Sequence, residues 1–283
     1  MPLLPLDLEA TIDRALAEDL GSGDATTSAL VPPGLMASAS FVAKSDGVLA
    51  GIGVALAVMK RVDPSLHTVA KLADGDALEG GETLATVSGP MASILMAERT
   101  ALNFIQRTCG IASLTARYVK AIEGTGAVIV DTRKTAPGLR ALDKYAVVIG
   151  GGRNHRRNLS DGVLIKDNHI AALRKDGLSL DQIVSRARAN APHTVKIEIE
   201  VETVADAQVA VEAGADIIML DNMSVTEMRK AVILAKGKCL VEASGGITLS
   251  NVAEVAKTGV DLISIGALTH SVQAMDIALD YGA

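Results

Sequence analysis

The sequence predicts an α/β protein that ends in a closed or nearly closed parallel barrel and begins with a small sheet carrying a helix. Three observations predict it. From Ala127 onward short apolar runs alternate with helical patterns about six times, and repeated βα units imply a parallel sheet. Charged or small residues follow these runs at their C-terminal ends, where barrel enzymes carry their sites. Between Ala39 and Val87 the texture differs: short β-like runs are split by Asp46-Gly47, Asp74-Gly75 and Gly80-Gly81, dipeptides that signal turns.

The elements follow in order. Leu8, Ile12, Leu16 and Leu20 fall at i, i+4, i+8 and i+12, which predicts a helix from about Leu6 to Leu20. Ser40–Ala43, Thr68–Ala70 and Leu84–Val87 read as strands, with a helix over Ile52–Val62. Pro90 precedes a long helical segment from Ala92 to about Ile122. On it Arg99, Asn103 and Gln106 share a polar face, while Leu102 and Ile105 lie on an apolar one. Barrel strands are expected at Val128–Val130, Val163–Ile165, Val195–Val201, Ile217–Leu220, Cys239–Val241 and Leu262–Ile265. Helices such as Ala205–Ala213 and Val225–Ala235 lie between them, and a closing helix follows the last strand.

One strand is unusual. Lys196-Ile-Glu198-Ile-Glu200-Val-Glu202 alternates strictly, whereas parallel barrel strands are buried on both faces and usually read as continuous apolar runs. If Ile197, Ile199 and Val201 pack on helices, the carboxylates point into the barrel and need a cation, a metal or donors there.

Composition narrows the function. The 283 residues suffice for one large barrel or two modest domains, and 49% are apolar. A formal net charge of −6 argues against a nucleic-acid partner, whose binding surfaces are usually basic. Aromatic residues are 2% with no Trp, so base-stacking platforms are lacking. The 2 cysteines, Cys109 and Cys239, have no metal-ligand spacing and no disulfide framework, which fits a reducing cytoplasm. No signal-peptide pattern is visible, and no apolar run approaches the ~20 residues of a membrane span.

Against that acidic background, Asp131 to His169 concentrates fixed positive charge between apolar runs. Asp131-Thr-Arg133-Lys134-Thr-Ala-Pro137-Gly138 places two cations just past a strand, with Pro137-Gly138 opening the next helix; a solvated loop is the plainer reading. Arginine suits carboxylates and phosphates because its planar fork binds them bidentately. Gly150-Gly151-Gly152-Arg-Asn-His155-Arg156-Arg157 lacks the dinucleotide spacing. Its glycines could let backbone approach a ligand or could simply cap a helix. Lys166, in Leu164-Ile-Lys-Asp-Asn-His169, could form a Schiff base, bind phosphate or make an ion pair. The loops at Ser244-Gly245-Gly246 and Ser264-Ile-Gly266-Ala267 follow the last two strands, where barrels cradle phosphate. Glu200 and Asp221 end adjacent strands and suit a Mg²⁺ shared with substrate oxygens, or simply pair with nearby cations.

Taken in order, these motifs resemble the quinolinate phosphoribosyltransferase family over nearly the full length. The resemblance rests on Ala97-Glu-Arg99-Thr-x-Leu-Asn103, Asp131 to Leu139, Lys144-Tyr-Ala-Val, Gly150 to Arg156, Leu164 to His169, Leu220-Asp-Asn222, Ser244 to Gly246 and Gly266-Ala-Leu-Thr-His270. It implies an N-terminal α/β sandwich domain over 1–115 and an incomplete (β/α) barrel over 116–283, with a C-terminal segment able to return to the first. The implied reaction joins quinolinate to phosphoribosyl pyrophosphate with loss of CO2 and requires Mg²⁺. Arg133, His155, Arg156 and Lys166 would then surround the quinolinate carboxylates. Arg99 would come from a neighbouring subunit of a homodimer, or of a higher oligomer of dimers, with shared sites. Lys134, Glu200 and Asp221 would face the phosphoribosyl donor and its metal, and Lys134, Lys166, Glu200 and Asp221 would form the catalytic set. Ser244, Gly245, Gly246 and the Gly266 loop, with Ala267 and His270, would bind the rest of the substrate, the ribose 5-phosphate included.

Three rivals are weaker. A paralogous transferase acting on a monoacid would not need so many cations. A Schiff-base aldolase would need Lys166 with a lowered pKa, whereas nearby carboxylates favour its charged form. A non-catalytic scaffold leaves a buried acidic strand face without purpose.

Overall fold

The structure, a computed structural model, describes residues 7–282. In chain order the elements are α1 (Leu8–Leu20), α2 (Ala25–Leu30), β1 (Met36–Ala43), β2 (Gly47–Val48), α3 (Ile52–Val62), β3 (His67–Ala70), β4 (Ala77–Leu78), β5 (Thr83–Pro90) and the long α4 (Met91–Ala121). There follow β6 (Val128–Val130), α5 (Arg140–Ile149), β7 (Val163–Ile165), α6 (Asp167–Lys175), α7 (Leu180–Asn190), β8 (Ile197–Val201), α8 (Val204–Glu212), β9 (Ile217–Asp221) and α9 (Val225–Ala235). The chain ends with β10 (Leu240–Ser244), α10 (Val252–Ala256), β11 (Leu262–Ser264), α11 (Ala267–His270) and β12 (Ile277–Tyr281). The first helix keeps its expected spacing, with Ile12 and Leu16 buried; its expected start at Leu6 lies outside the described residues.

The chain forms two compact units: residues 1–116, 135–151 and 267–283 in one, 117–134 and 152–266 in the other. The sequence boundary between 115 and 116 therefore misses that 135–151, with α5, packs in the first unit. Contiguous reading cannot see such a return, because α5 is linked to its neighbours through space.

The first unit is a sheet covered by helices. Its antiparallel order is β12-β1-β5-β3. Ala39, Phe41 and Ala43 of β1 are buried at every second position, and Leu84 and Val87 of β5 join them. Against these pack Val54, Val58 and Met59 of α3 and Ile94, Ala101, Leu102 and Ile105 of α4 in one apolar cluster. The expected closing helix shrinks to the four residues of α11, and β12 then pairs with β1 from Ala39↔Tyr281 to Ala43↔Ile277. Phe41 needs a covered sheet face, and β12 extends the sheet on that side.

Two features stiffen this unit. Asp143 of α5 is fully buried and receives both Arg107 Nε (2.8 Å) and Nη2 (2.9 Å), a bidentate pair. The same Arg107 Nη2 donates to the Thr269 carbonyl (3.0 Å), and Asp143 also accepts the Ala136 N–H (3.2 Å). Gly150 ends α5 against α4: a Cβ there would lie 2.4 Å from the Ala112 carbonyl oxygen and 2.7 Å from Thr115 Cβ. Of the two uses open to the glycine run, Gly150 thus serves a helix end and a close helix approach. Helix α5 begins at Arg140 rather than at Pro137-Gly138, because Gly138 has a left-handed φ of 78° that no helix continues.

The second unit is the barrel. Six parallel strands run in the order β6-β11-β10-β9-β8-β7, cyclic except that β6 and β7 do not pair as strands. An isolated parallel bridge, Val130↔Arg153, lies on the free side of β6. Arg153 N–H donates to the Ile129 carbonyl (2.9 Å) and Asp131 N–H to the Arg153 carbonyl (3.1 Å). The seam is thus laid over by a non-strand segment, which makes the barrel incomplete. Helix starts between strands carry their own caps: Thr203 accepts the Asp206 N–H, and Ser224 with Glu227 forms a capping box. Ile197, Ile199 and Val201 of β8 are buried at every second position. Strand β10 runs to Ser244, three residues past its expected end, because Glu242 and Ala243 pair with Leu262 and Ile263 of β11. A glutamate inside a barrel strand does not read as part of an apolar run. No helix among the described residues is long and apolar enough to cross a membrane.

Candidate active site

A cavity of about 440 Å³ opens at the C-terminal ends of the barrel strands. Its wall gathers residues far apart in sequence: Arg133 and Lys134 after β6, His155 and Arg156 from the seam, Lys166 after β7, Glu200 on β8, Asp221 on β9, and Ser244 with Gly245 at the end of β10. Gly246 continues the same loop, and Gly266 follows β11. Arg99, Ala267 and His270 belong to the first unit, Arg99 on α4 and the other two on α11; Arg99 and His270 are exposed.

The seam explains how His155 and Arg156 reach this wall. Asp131, fully buried at the end of β6, accepts the His155 N–H at 2.8 Å. Arg156 Nη1 donates to the Gly162 carbonyl (3.2 Å). Burial, and then the charge of Arg133, hold the Arg156 pKa below its ordinary value, while Glu198 and Asp161 raise it. Arg133 Nε is buried with no hydrogen-bond partner among the described residues. Two guanidinium groups that repel each other, one with an orphaned donor, are poised for a bidentate anion.

On the acidic side, burial raises the Glu200 pKa most; Lys166 lowers it, and Asp221 and Asp167 raise it further. Glu200 Oε2 is buried without a partner among the described residues. Asp221 Oδ2 accepts Asn222 Nδ2 at 2.8 Å. The glycine loop is locked onto the same strand end: Asn222 takes a left-handed φ of 52°, donates its N–H to the Ser244 carbonyl (3.0 Å), and lies where a Gly245 Cβ would meet its Oδ1 at 2.3 Å. Only glycine fits at 245, whose φ is 84°. The His169 ring accepts the Lys166 N–H at 3.0 Å, so the last residue of the Lys166–His169 motif closes the first turn of α6.

Sequence reasoning missed the floor. His155 turns its Nε2 down to Glu198 Oε2 (3.0 Å) and Glu242 Oε2 (3.5 Å). Among the described residues this trio is the one acidic and histidine group whose ligand atoms cluster tightly, and Glu200 with Asp221 is not part of it. The alternation of 196–202 did signal Glu198. In the sequence Glu242 reads only as one of the polar residues that follow the expected strand Cys239–Val241, whereas it lies within β10.

A parallel barrel with convergent cations, paired carboxylates and a glycine loop at its C-terminal mouth defines an enzyme of polyanionic substrates. Comparison with known proteins narrows this. Residues 24–109 match the N-terminal domain model, and residues 111–280 the C-terminal domain model, of quinolinate phosphoribosyl transferase. The chain belongs to the quinolinate phosphoribosyltransferase family. It is 42% identical to the probable carboxylating nicotinate-nucleotide pyrophosphorylase of Bacillus subtilis, covering 97% of this chain and 93% of that protein. It is 44% identical to the carboxylating nicotinate-nucleotide pyrophosphorylase of Mycobacterium leprae, covering 95% of each. The crystal structure of NadC from Streptococcus pyogenes superposes with a TM-score of 0.93 at 40% identity, covering 100% of both chains.

Proposed function

We infer that this chain is a decarboxylating quinolinate phosphoribosyltransferase of NAD biosynthesis. It transfers phosphoribosyl from phosphoribosyl pyrophosphate to quinolinate and forms nicotinate mononucleotide, pyrophosphate and CO2. One observation carries the substrate assignment: Arg133 and Arg156 share one cavity wall with Lys166, a cation density suited to a dicarboxylate. Lys134, on the same wall, faces the donor, and the Ser244–Gly246 loop offers backbone N–H groups to its 5-phosphate. Gly266 is assigned to the same phosphate end.

Glu200 and Asp221 fit a divalent cation, since Glu200 carries a buried, partnerless oxygen and its carboxyl is destabilised as an anion first by burial and then, against the pull of Lys166, by the charge of Asp221. When bound, Mg²⁺ supplies charge neutralisation for the departing pyrophosphate. The chain's own residues do the rest. Departure of pyrophosphate leaves positive charge on the ribose, and the carboxylates of Glu200 and Asp221 stabilise it. Arg133, Arg156, His155 and Lys166 hold the ring so that its nitrogen meets that carbon. Once the ring nitrogen is cationic, the carbanion left by the adjacent carboxylate sits beside N⁺, and the second decarboxylating step becomes easy. CO2 release from quinolinate is expected only when donor and Mg²⁺ are both present. Equal activity on nicotinate, or turnover that survives chelation, would overturn the assignment.

The working unit is a homodimer with shared sites. Arg99 and Asn103 are exposed on α4, whereas Gln106 of the same face is consumed by the Ile277 carbonyl (2.7 Å). Mixing inactive Arg99→Ala with inactive Lys134→Ala subunits is expected to restore activity after subunit exchange, through one site with both wild-type residues. Proven exchange without recovery would place Arg99 in its own chain's site. The free cysteines, Cys109 buried and Cys239 partly so, suit work in the cytoplasm.

A further inference from the structure

Below the substrate cavity the barrel holds a second one of about 330 Å³, lined toward the N-terminal strand ends by Thr194, Lys196, Ile217 and Leu262. The two cavities share three residues: His155, Arg156 and Glu242. Glu242 therefore stands between the substrate cavity and a separate space beneath it.

Its surroundings define its proton state. Glu242 is fully buried, and neither carboxyl oxygen has a hydrogen-bond partner among the described residues; Glu198 Oε1 is orphaned in the same way. Facing Glu242 are Glu198 from β8, His155 from the seam and Ser264 from β11, while the neighbouring Met219 of β9 is apolar. The Nδ1 of His155 accepts the Arg156 N–H at 2.8 Å, so its Nε2 carries a proton, which is directed at Glu198. The same tautomer disfavours a metal among these three residues, because Nε2 is already protonated. Two buried carboxylates sharing one imidazole cannot both ionise cheaply, and one proton gives the orphaned oxygens a partner.

We propose that Glu242 is the acid that protonates the ring carbon exposed by decarboxylation, an inference that rests on the quinolinate reading. In that step the bond between C2 of the pyridinium ring and its carboxyl carbon breaks, CO2 leaves, and the electron pair stays on C2. The Glu242 O–H bond then breaks, its proton forms the new C2–H bond, and Glu242 is left as a carboxylate. Water in the lower cavity returns one proton before the next turnover, while product still fills the mouth. Burial above all, then the facing charge of Glu198, push the Glu242 carboxyl up to about 8, against the pull of His155 and Ser264. It therefore holds its proton at neutral pH, as a general acid must.

The test is single-turnover kinetics across pH, with pyrophosphate and nicotinate mononucleotide followed separately. For the wild type, nicotinate mononucleotide formation should fall as pH rises through about 8, because the active form of Glu242 is the protonated one, while pyrophosphate release should lack that limb. In Glu242→Gln, formation of nicotinate mononucleotide should drop at least roughly tenfold, more than pyrophosphate release does, with the basic limb lost. Glu242→Asp should recover part of the rate and keep a limb. Product formation by Glu242→Gln at the wild-type rate, or a slowed variant that keeps the basic limb, overturns the inference. If Glu242→Gln does not fold, the wild-type profile decides: no basic limb specific to product formation also overturns it. Absence of CO2 from the wild type overturns the quinolinate reading itself, which separates the two failures.

Discussion

Asp143→Ala is expected to destabilise the first unit by about 3–5 kcal/mol. The substitution leaves the Arg107 guanidinium, only 25% exposed, without the carboxylate that receives two of its N–H groups. It also orphans the Ala136 N–H, which no longer has its side-chain acceptor. Urea denaturation measures the loss. The double variant Arg107→Met/Asp143→Leu should be more stable than Asp143→Ala, since apolar replacement of both partners removes the buried charge altogether. A loss below about 1 kcal/mol for Asp143→Ala would show that the pair behaves as a surface bridge.

Arg133→Ala and Arg156→Ala are expected to weaken quinolinate binding by about 1.5–3 kcal/mol each, roughly ten- to a hundredfold, and donor binding far less. Arg133 loses a buried donor that has no protein partner to compensate it. Removal of Arg156 also loses its contact to the Gly162 carbonyl, while His155 stays tied to Asp131. Calorimetry on both variants separates the sub-sites. If donor affinity drops and quinolinate affinity does not, the two sub-sites are exchanged.

The barrel was legible because its signal is local. Val128–Val130, Val163–Ile165 and Val225–Ala235 coincide with the observed elements, each bounded by residues of opposite character. The wall of the cavity was legible for the same reason: a charge directly after an apolar run can be placed without knowing the fold. What escaped was written across distance. Helix α5 looks like any barrel helix until Asp143 meets Arg107. The return of a C-terminal segment to the first unit is expected, but its form as strand β12 is not legible, because its pairing partner β1 lies at the other end of the chain. The floor trio escaped because His155 meets Glu198 and Glu242 only once the segment after α5 is laid beside β6, and that seam has no strand pattern at all.

The strand order has a consequence for how the chain comes into being. β6 is the first barrel strand to leave the ribosome, yet its strand partner is β11, the last, through Val128↔Leu262 and Val130↔Ser264. Until the final strand emerges, β6 waits with an open edge, and β7 to β10 can build only an unclosed ribbon. Nearly the whole loop-closure cost of the barrel falls on one late event. A nascent or truncated chain ending before Leu262 leaves β6 without its strand partner and β10 with a bare edge, and is the form of this protein most in need of a chaperone.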